Sequence, residues 1–154
     1  MIETPQIVKT VAQHYAYLHL TVPREEIQRV MGPSIQEVYA ALGSRGVKPD
    51  GPWFTHHLKR PDAEFDFEVC VPVAEAITPT GRVKPGVWPA MRLARTVHHG
   101  GYEGLGAAWG EFVSWIGAQG LPEAQDLWER YLVGPEASSN PADWRTELNR
   151  PLSD

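Results

Sequence analysis

Most of what this chain can fold into is constrained by one property: the sequence is written twice. Val38-Tyr39-Ala40-Ala41-Leu42-Gly43-Ser44-Arg45-Gly46-Val47 lines up with Phe112-Val113-Ser114-Trp115-Ile116-Gly117-Ala118-Gln119-Gly120-Leu121, at an offset of 74 residues. Each segment is a helix tail ending in Gly-x-x-Gly and an apolar residue. The same offset pairs Trp53–Leu58 with Leu127–Leu132. About five extra residues then enter the second copy in its Pro/Ser/Asn-rich turn, Gly134 to Pro141. Beyond it Phe65–Val73 pairs with Trp144–Leu152, so that Glu68 meets Glu147 and Pro72 meets Pro151. Helix, strand, turn and strand recur in one order. The 154 residues therefore read as one domain of two half-repeats, about 1–77 and 87–154, with a linker at about 78–86.

Each half reads strand–helix–strand–strand. Ile7 to Thr21 is rich in Val, Tyr, Thr and Leu and predicts one long strand. Pro23-Arg24-Glu25-Glu26 can open a short helical turn. Ser34-Ile35-Gln36-Glu37 has the form of a capping box, with Ile35, Val38, Tyr39 and Leu42 at helical spacing behind it and Gly43 and Gly46 as the stop. A second helix is expected from Tyr102, with Leu105, Ala108, Trp109, Phe112, Trp115 and Ile116 on one face against a sheet. The remaining strands are Trp53–Leu58, Phe65–Val71, Trp128–Val133 and Trp144–Leu148; Thr78 to Gly86 is expected to be a loop without a ladder. The expected class is α+β, a tandem βαββ duplication forming an antiparallel sheet with two principal helices and a pseudo-twofold axis, with a groove where the halves meet.

Composition narrows the partners. With 14 Lys+Arg against 19 Asp+Glu the net charge is -5, which argues against a nucleic-acid surface built from clustered basic residues. A single cysteine, Cys70, excludes an internal disulfide or a CxxC site, and is expected to be a small buried residue. No stretch approaches the roughly 18 apolar residues of a membrane span, and no leader is visible, so a soluble, cytoplasmic protein is expected. His56-His57 and His98-His99 are adjacent pairs whose members point to opposite faces of a strand, so neither pair closes on one metal. Gly104, Gly106 and Gly110 have a dinucleotide-loop spacing but no supporting strand–helix–strand unit or distal acid. Neither metal nor cofactor is called for.

Glu129 is the informative acid. Alternation along its segment puts Leu127, Glu129 and Tyr131 on one face, and the equivalent face of the first half carries Trp53, Thr55 and His57. If the halves meet about a pseudo-twofold, Glu129, Tyr131, Thr55 and His57 gather in the groove between them. A carboxylate among rings must be paired, become neutral, or await a cation. The alternatives are pairing with Arg130 or Arg145, or exposure to water. The 6 Trp, 5 Tyr and 4 Phe supply rings for such a groove, with Tyr15, Tyr17, Trp88, Tyr102 and Trp144 as candidate walls and Tyr102 the leading one.

These residues carry a resemblance. His98-His99-Gly100-Gly101-Tyr102-Glu103-Gly104-Leu105 with Trp109, then Trp128-Glu129-Arg130-Tyr131-Leu132, and Trp144-Arg145-Thr146-Glu147-Leu148 closed by Arg150-Pro151-Leu152, resemble the GyrI-like (gyrase-inhibitory-protein-like) small-molecule-binding domain. The resemblance implies a ligand pocket between the halves, aromatic with a central acid that favours lipophilic cations, and it carries that acid onto Glu129. It covers effector domains of multidrug-responsive transcription activators, stand-alone binders, and some stand-alone hydrolases of cyclopropane-bearing genotoxins. Strand-like sequence begins near Pro5 and no helix-turn-helix fits, so direct transcriptional control is not expected.

Three functions follow as expectations. The first is a stand-alone binding protein for hydrophobic, cationic aromatic small molecules, with Glu129, Tyr131, Tyr102, His57, Thr55 and Trp144 around the ligand. The second is a hydrolase of cyclopropanoid or similar strained electrophiles, with Glu129 activating a water or donating a proton and Tyr131 orienting that water or polarising the leaving group. The third is a module that docks on a protein partner. No nucleic acid or membrane partner is expected.

Overall fold

A computed structural model describes residues 2–59 and 63–153. Eight strands form one antiparallel sheet: β1 (Gln6–Lys9), β2 (Gln13–Pro23), β3 (Phe54–His57), β4 (Glu64–Pro72), β5 (Lys84–Trp88), β6 (Arg92–His99), β7 (Leu127–Val133) and β8 (Arg145–Pro151). Two helices, α1 (Ile27–Ser44) and α2 (Leu105–Ala118), lie between β2 and β3 and between β6 and β7. The strand order is β1-β6-β8-β7-β3-β4-β2-β5. The two βαββ units thus meet where β3 pairs with β7.

The duplication is visible in individual hydrogen bonds. At the end of α1, Val47 N–H donates to Leu42 O and Gly46 N–H to Gly43 O; at the end of α2, Leu121 N–H donates to Ile116 O and Gly120 N–H to Gly117 O. Both are the paired bonds of a Schellman cap, and both need a left-handed residue: φ is 67° at Gly46 and 68° at Gly120. The 74-residue offset also holds at the centre of the sheet. Thr55 lies opposite Glu129, its own repeat equivalent, so a pseudo-twofold axis passes through that pair.

Each helix covers its own half. Val38, Ala41 and Leu42 of α1 pack on Ala16, Leu18 and Val71, while Ala108, Phe112 and Ile116 of α2 pack on Ala94 and Leu148. The opposite face of the sheet holds a third cluster of Tyr15, Phe54, Cys70, Trp88, Leu93 and Trp128. Trp88 and Trp128 stack there at 4.2 Å between centroids, and His56 lies on Trp128 at 3.6 Å.

The sheet cannot be flat. Six inter-strand gaps separate β1 from β2, and also β5 from β6; at about 4.8 Å each a flat sheet would put those strands about 29 Å apart. Yet only residues 10–12 join β1 to β2, and only residues 89–91 join β5 to β6. Four Cα steps reach at most about 14 Å, so the sheet curls into a half-barrel. The two straps touch as they cross: Thr10 N–H and its hydroxyl donate to Met91 O (2.8 and 3.2 Å), and Met91 N–H donates to Thr10 Oγ1 (3.0 Å).

Three local expectations change. The long strand from Ile7 is two strands, broken at residues 10–12 by this strap. Ser34 is not a cap but a buried residue inside α1, which begins at Ile27 directly after a 3-10 turn at Arg24–Glu26; Glu37, the supposed reciprocal partner, pairs instead with Arg82 at 2.7 Å. Lys84 to Gly86, expected to be loop, begin β5 and pair with Tyr17, Ala16 and Tyr15. Pro85 is accommodated because β5 is an edge strand, where a missing N–H interrupts no ladder on its outer side. Among the described residues no helix is long and apolar enough to cross a membrane.

Candidate functional site

A cleft of about 1150 Å³ lies between α1 and α2 over the central strands. Strand alternation builds its floor, since Leu127, Glu129 and Tyr131 of β7 and His57 of β3 all face the helices, with Trp53 just before β3 beside them. Met31, Ile35 and Tyr39 of α1 form one wall and Leu105, Trp109 and Val113 of α2 the other. Gly32, Gly106 and Gly110 also line it, and a Cβ at each would meet only open space. Side chains withheld at these helical positions leave room between the walls.

Glu129 occupies the pseudo-twofold axis and is 9% exposed. Trp109 Nε1–H donates to its Oε2 at 2.6 Å, and Tyr131 O–H donates to its Oε1 at 2.8 Å. Thr55, fully buried beneath, shares a 2.9 Å hydrogen bond with the Tyr131 hydroxyl. Both donors to Glu129 are neutral, and among the described residues no Lys or Arg pairs with it. Neither anticipated arginine does: Arg130 points to the other face and binds Glu147 at 2.7 Å, and Arg145 binds the carbonyls of Ala142 and Trp144. A buried carboxylate held by charge-assisted bonds but unneutralised keeps a strong attraction for a positive charge.

The surrounding groups respond to that charge. Burial, and then Glu129, push the Tyr131 hydroxyl well above the usual tyrosine range, so it remains a donor. Burial lowers the His57 imidazole below 6.5 despite the opposing pull of Glu129, so the ring is neutral at neutral pH. His57 stacks on Phe67 at 5.3 Å, and its Nδ1 is buried without a partner.

The rings form a continuous surface. Trp53 stacks on Tyr131 at 4.2 Å, and Tyr102 meets Tyr131 edge-on at 6.0 Å. Trp144 lies against Tyr102 at 5.0 Å with its Nε1–H on Ser138 O, backing the wall from outside the cleft lining. Of the residues singled out in the sequence, Glu129, Tyr131, Tyr102 and His57 line the cleft, Thr55 lies under it, and Trp144 behind it. Tyr15, Tyr17 and Trp88 do not reach it. They alternate away from the helix-facing residues onto the opposite face, where Tyr15 O–H donates to Glu68. Trp53, expected on the same face as Thr55 and His57 but not among the ligand residues, lines the cleft, and so does Trp109, expected only to pack its helix against the sheet. The missed signal was the indole N–H of Trp109, which needs an acceptor when it is covered.

The sequence matches the model of the GyrI-like small molecule binding domain over residues 3–153. No match was found among curated proteins. Solved structures share the fold. The EcmrR C-terminal domain is 21% identical, with 98% of each chain covered and a TM-score of 0.86. Against the longer EcmrR chain of a DNA complex, this chain spans 57% of the length. A hydrolase from Listeria innocua is 15% identical over 97% of this chain and 91% of that one, with a TM-score of 0.70. SAV2435 bound to tetraphenylphosphonium is 10% identical over 98% and 94%, with a TM-score of 0.67.

Proposed function

The chain belongs to the GyrI-like small molecule binding domain family, and from that premise we propose that its cleft binds hydrophobic, cationic aromatic molecules around Glu129. One observation carries this reading: a carboxylate nine-tenths buried, held by two neutral donors, inside an aromatic cleft. Trp53, Tyr102, Trp109 and Tyr131 supply apolar burial and cation–π attraction, each good contact being worth on the order of 1 kcal/mol. A neutral ligand of the same shape would leave the Glu129 charge uncompensated. The tetraphenylphosphonium complex of SAV2435 shows a protein of this fold holding a lipophilic aromatic cation, which supports the assignment. Titrating tryptophan fluorescence with cationic and neutral dyes of matched size tests it. Saturable quenching that prefers the cation, and loses that preference in Glu129→Gln, is expected; equal binding of both dyes to wild type refutes it.

A second reading is supported by the neutral His57 within the field of Glu129 and by the hydrolase among the structural neighbours. In it the same cleft holds a flat strained electrophile, Glu129 draws a proton from water, and Tyr131 orients that water. Incubation with a cyclopropanoid, followed by mass spectrometry, separates the two. Product that vanishes in both Glu129→Gln and Tyr131→Phe makes the cleft an active site.

A further inference from the structure

The cleft is polarised along its length. Arg24 and Arg150 both line it, and both are drawn to the end marked by His57 and Leu127: the Arg24 guanidinium lies over Phe65 at 5.6 Å, and Arg150 faces Glu123 at 3.3 Å. The opposite end, beyond Tyr131, carries an acid. Glu136, on the loop after β7, lines the cleft together with Tyr39 of α1 and Tyr102 at the entry to α2. A Cβ on Gly134 would meet Glu136 Oε2 at 2.8 Å and the Tyr102 hydroxyl at 2.9 Å, so carboxylate and phenol lie side by side, and burial, then Glu136, raise the hydroxyls of both Tyr102 and Tyr39. Among the described residues, neither its carboxylate nor either hydroxyl has a hydrogen-bond or ion-pair partner. A lone carboxylate flanked by two tyrosine rings is the composition that receives an organic cation, combining charge pairing with the negative faces of the rings.

We propose that Glu136, Tyr39 and Tyr102 form a second cation subsite at this end of the cleft, so that the site takes elongated dications with one head on Glu129 and the other on Glu136. The inference rests on the reading that Glu129 receives a cation. Length supports it. Glu129 and Val133 are four residues apart along β7, at most about 13 Å because a bulge shortens the strand between Tyr131 and Val133, and Glu136 follows in the turn that starts at Gly134. The cleft of about 1150 Å³ exceeds the roughly 300–1,000 Å³ of ordinary ligand pockets. Two positive heads on a spacer of that order can reach both acids at once, and the second contact then forms at high effective concentration.

The test compares decamethonium, a bis-quaternary ammonium with a ten-carbon spacer, against decyltrimethylammonium, its single-headed counterpart, by calorimetric titration at physiological ionic strength. Wild type is expected to bind decamethonium at least tenfold more tightly. Glu136→Gln should erase that advantage while leaving the single-headed ligand unchanged, and Glu129→Gln should weaken both. Equal affinities in wild type, or an advantage that survives Glu136→Gln, overturns the subsite. If the advantage depends on Glu136 but Glu129→Gln changes nothing, the subsite stands and the role assigned to Glu129 falls. If wild type binds neither cation, both fall.

Discussion

Glu129→Gln is the sharpest perturbation of the site, because the structure indicates how the hydrogen bonds would reorganise. In the native network the Trp109 indole and the Tyr131 hydroxyl donate to the carboxylate at 2.6 and 2.8 Å, and Thr55 bonds to the Tyr131 oxygen at 2.9 Å. An amide offers an acceptor oxygen and an NH2 with two donor hydrogens. Trp109 cannot reverse, so the amide oxygen must stay on the indole and the amide N–H must turn to Tyr131. Tyr131 can reverse, donating to Thr55 instead. Every acceptor of the network stays bonded, but one amide hydrogen and the Thr55 hydroxyl hydrogen are left without a partner; two charge-assisted bonds become neutral ones while a buried charge is removed, so stability should fall by about 1–2 kcal/mol. Cation affinity should change more. At about 5 Å and an effective dielectric of 20, a carboxylate–cation pair is worth roughly 3 kcal/mol. Allowing for desolvation of the cation, the variant should bind cationic dyes about 10- to 100-fold more weakly and neutral dyes undiminished. The reversal itself is testable by urea unfolding. Thr55→Val should cost about 1 kcal/mol more in the Glu129→Gln background than in wild type, because only there is Thr55 the sole acceptor for Tyr131. Additive costs refute the network, and a Glu129→Gln variant that keeps its cation affinity refutes the electrostatics.

Other expectations concern the frame. Gly46→Ala and Gly120→Ala should each cost about 1–2 kcal/mol for a left-handed alanine, since a Cβ at Gly46 or Gly120 meets nothing within 4 Å; costs that differ widely in urea unfolding would show the two caps not to be equivalent. Gly86→Ala should be worse than its half-buried place on an edge strand implies. Its Cβ would sit 2.6 Å from the Tyr15 ring, which Glu68, Phe54 and Trp128 hold in place, so about 1–3 kcal/mol is expected; a neutral result would mean the ring is free to move. The adjacent histidines should titrate oppositely. The His57 value is lowered by burial, so its contribution is present above 6.5 and is lost as pH falls through the folded value; His57→Phe should therefore flatten the acid limb of stability. The His56 value is raised: burial opposes, but hydrogen bonds to Asp126 and Glu68 prevail, so its contribution is full below 6.5 and fades as pH rises through the folded value. Urea midpoints of His56→Gln and His57→Phe from about pH 5 to 8 should diverge from wild type in opposite senses, and parallel curves would disprove this.

Local periodicity made the central elements legible. The alternation Leu127, Glu129, Tyr131 against Trp53, Thr55, His57 put the right side chains on one face, because a two-residue period leaves no other choice once both strands are buried. The helix stops were legible for a similar reason: a Schellman cap needs a glycine at one position, and Gly46 and Gly120 occupy it. What escaped depends on distant partners. Pro85 looked like loop because nothing in the chain announces that Tyr15–Tyr17 will present a free edge to it. Tyr15 and Trp88 could be placed on the correct face only after β2 and β5 were in register. Trp109 sat on a helical stripe among hydrophobes, and its tie to Glu129 spans 20 residues of sequence and two elements. Glu136 offered no pattern at all, being a single acid in a turn.

The crossed straps near Thr10 and Met91 carry a mechanical consequence. They act as a buckle on the back of the half-barrel, where the two chain crossings are tied to each other by three hydrogen bonds. Curvature of the sheet, and with it the separation of α1 from α2, is therefore governed by two three-residue connections at the opposite pole from Glu129. With both straps tied, the half-barrel forms a saddle on which α1 and α2 are seated. Lengthening either connection would relax that saddle and splay the helices, retuning the guest size from the far side of the molecule without altering a single residue of the cleft.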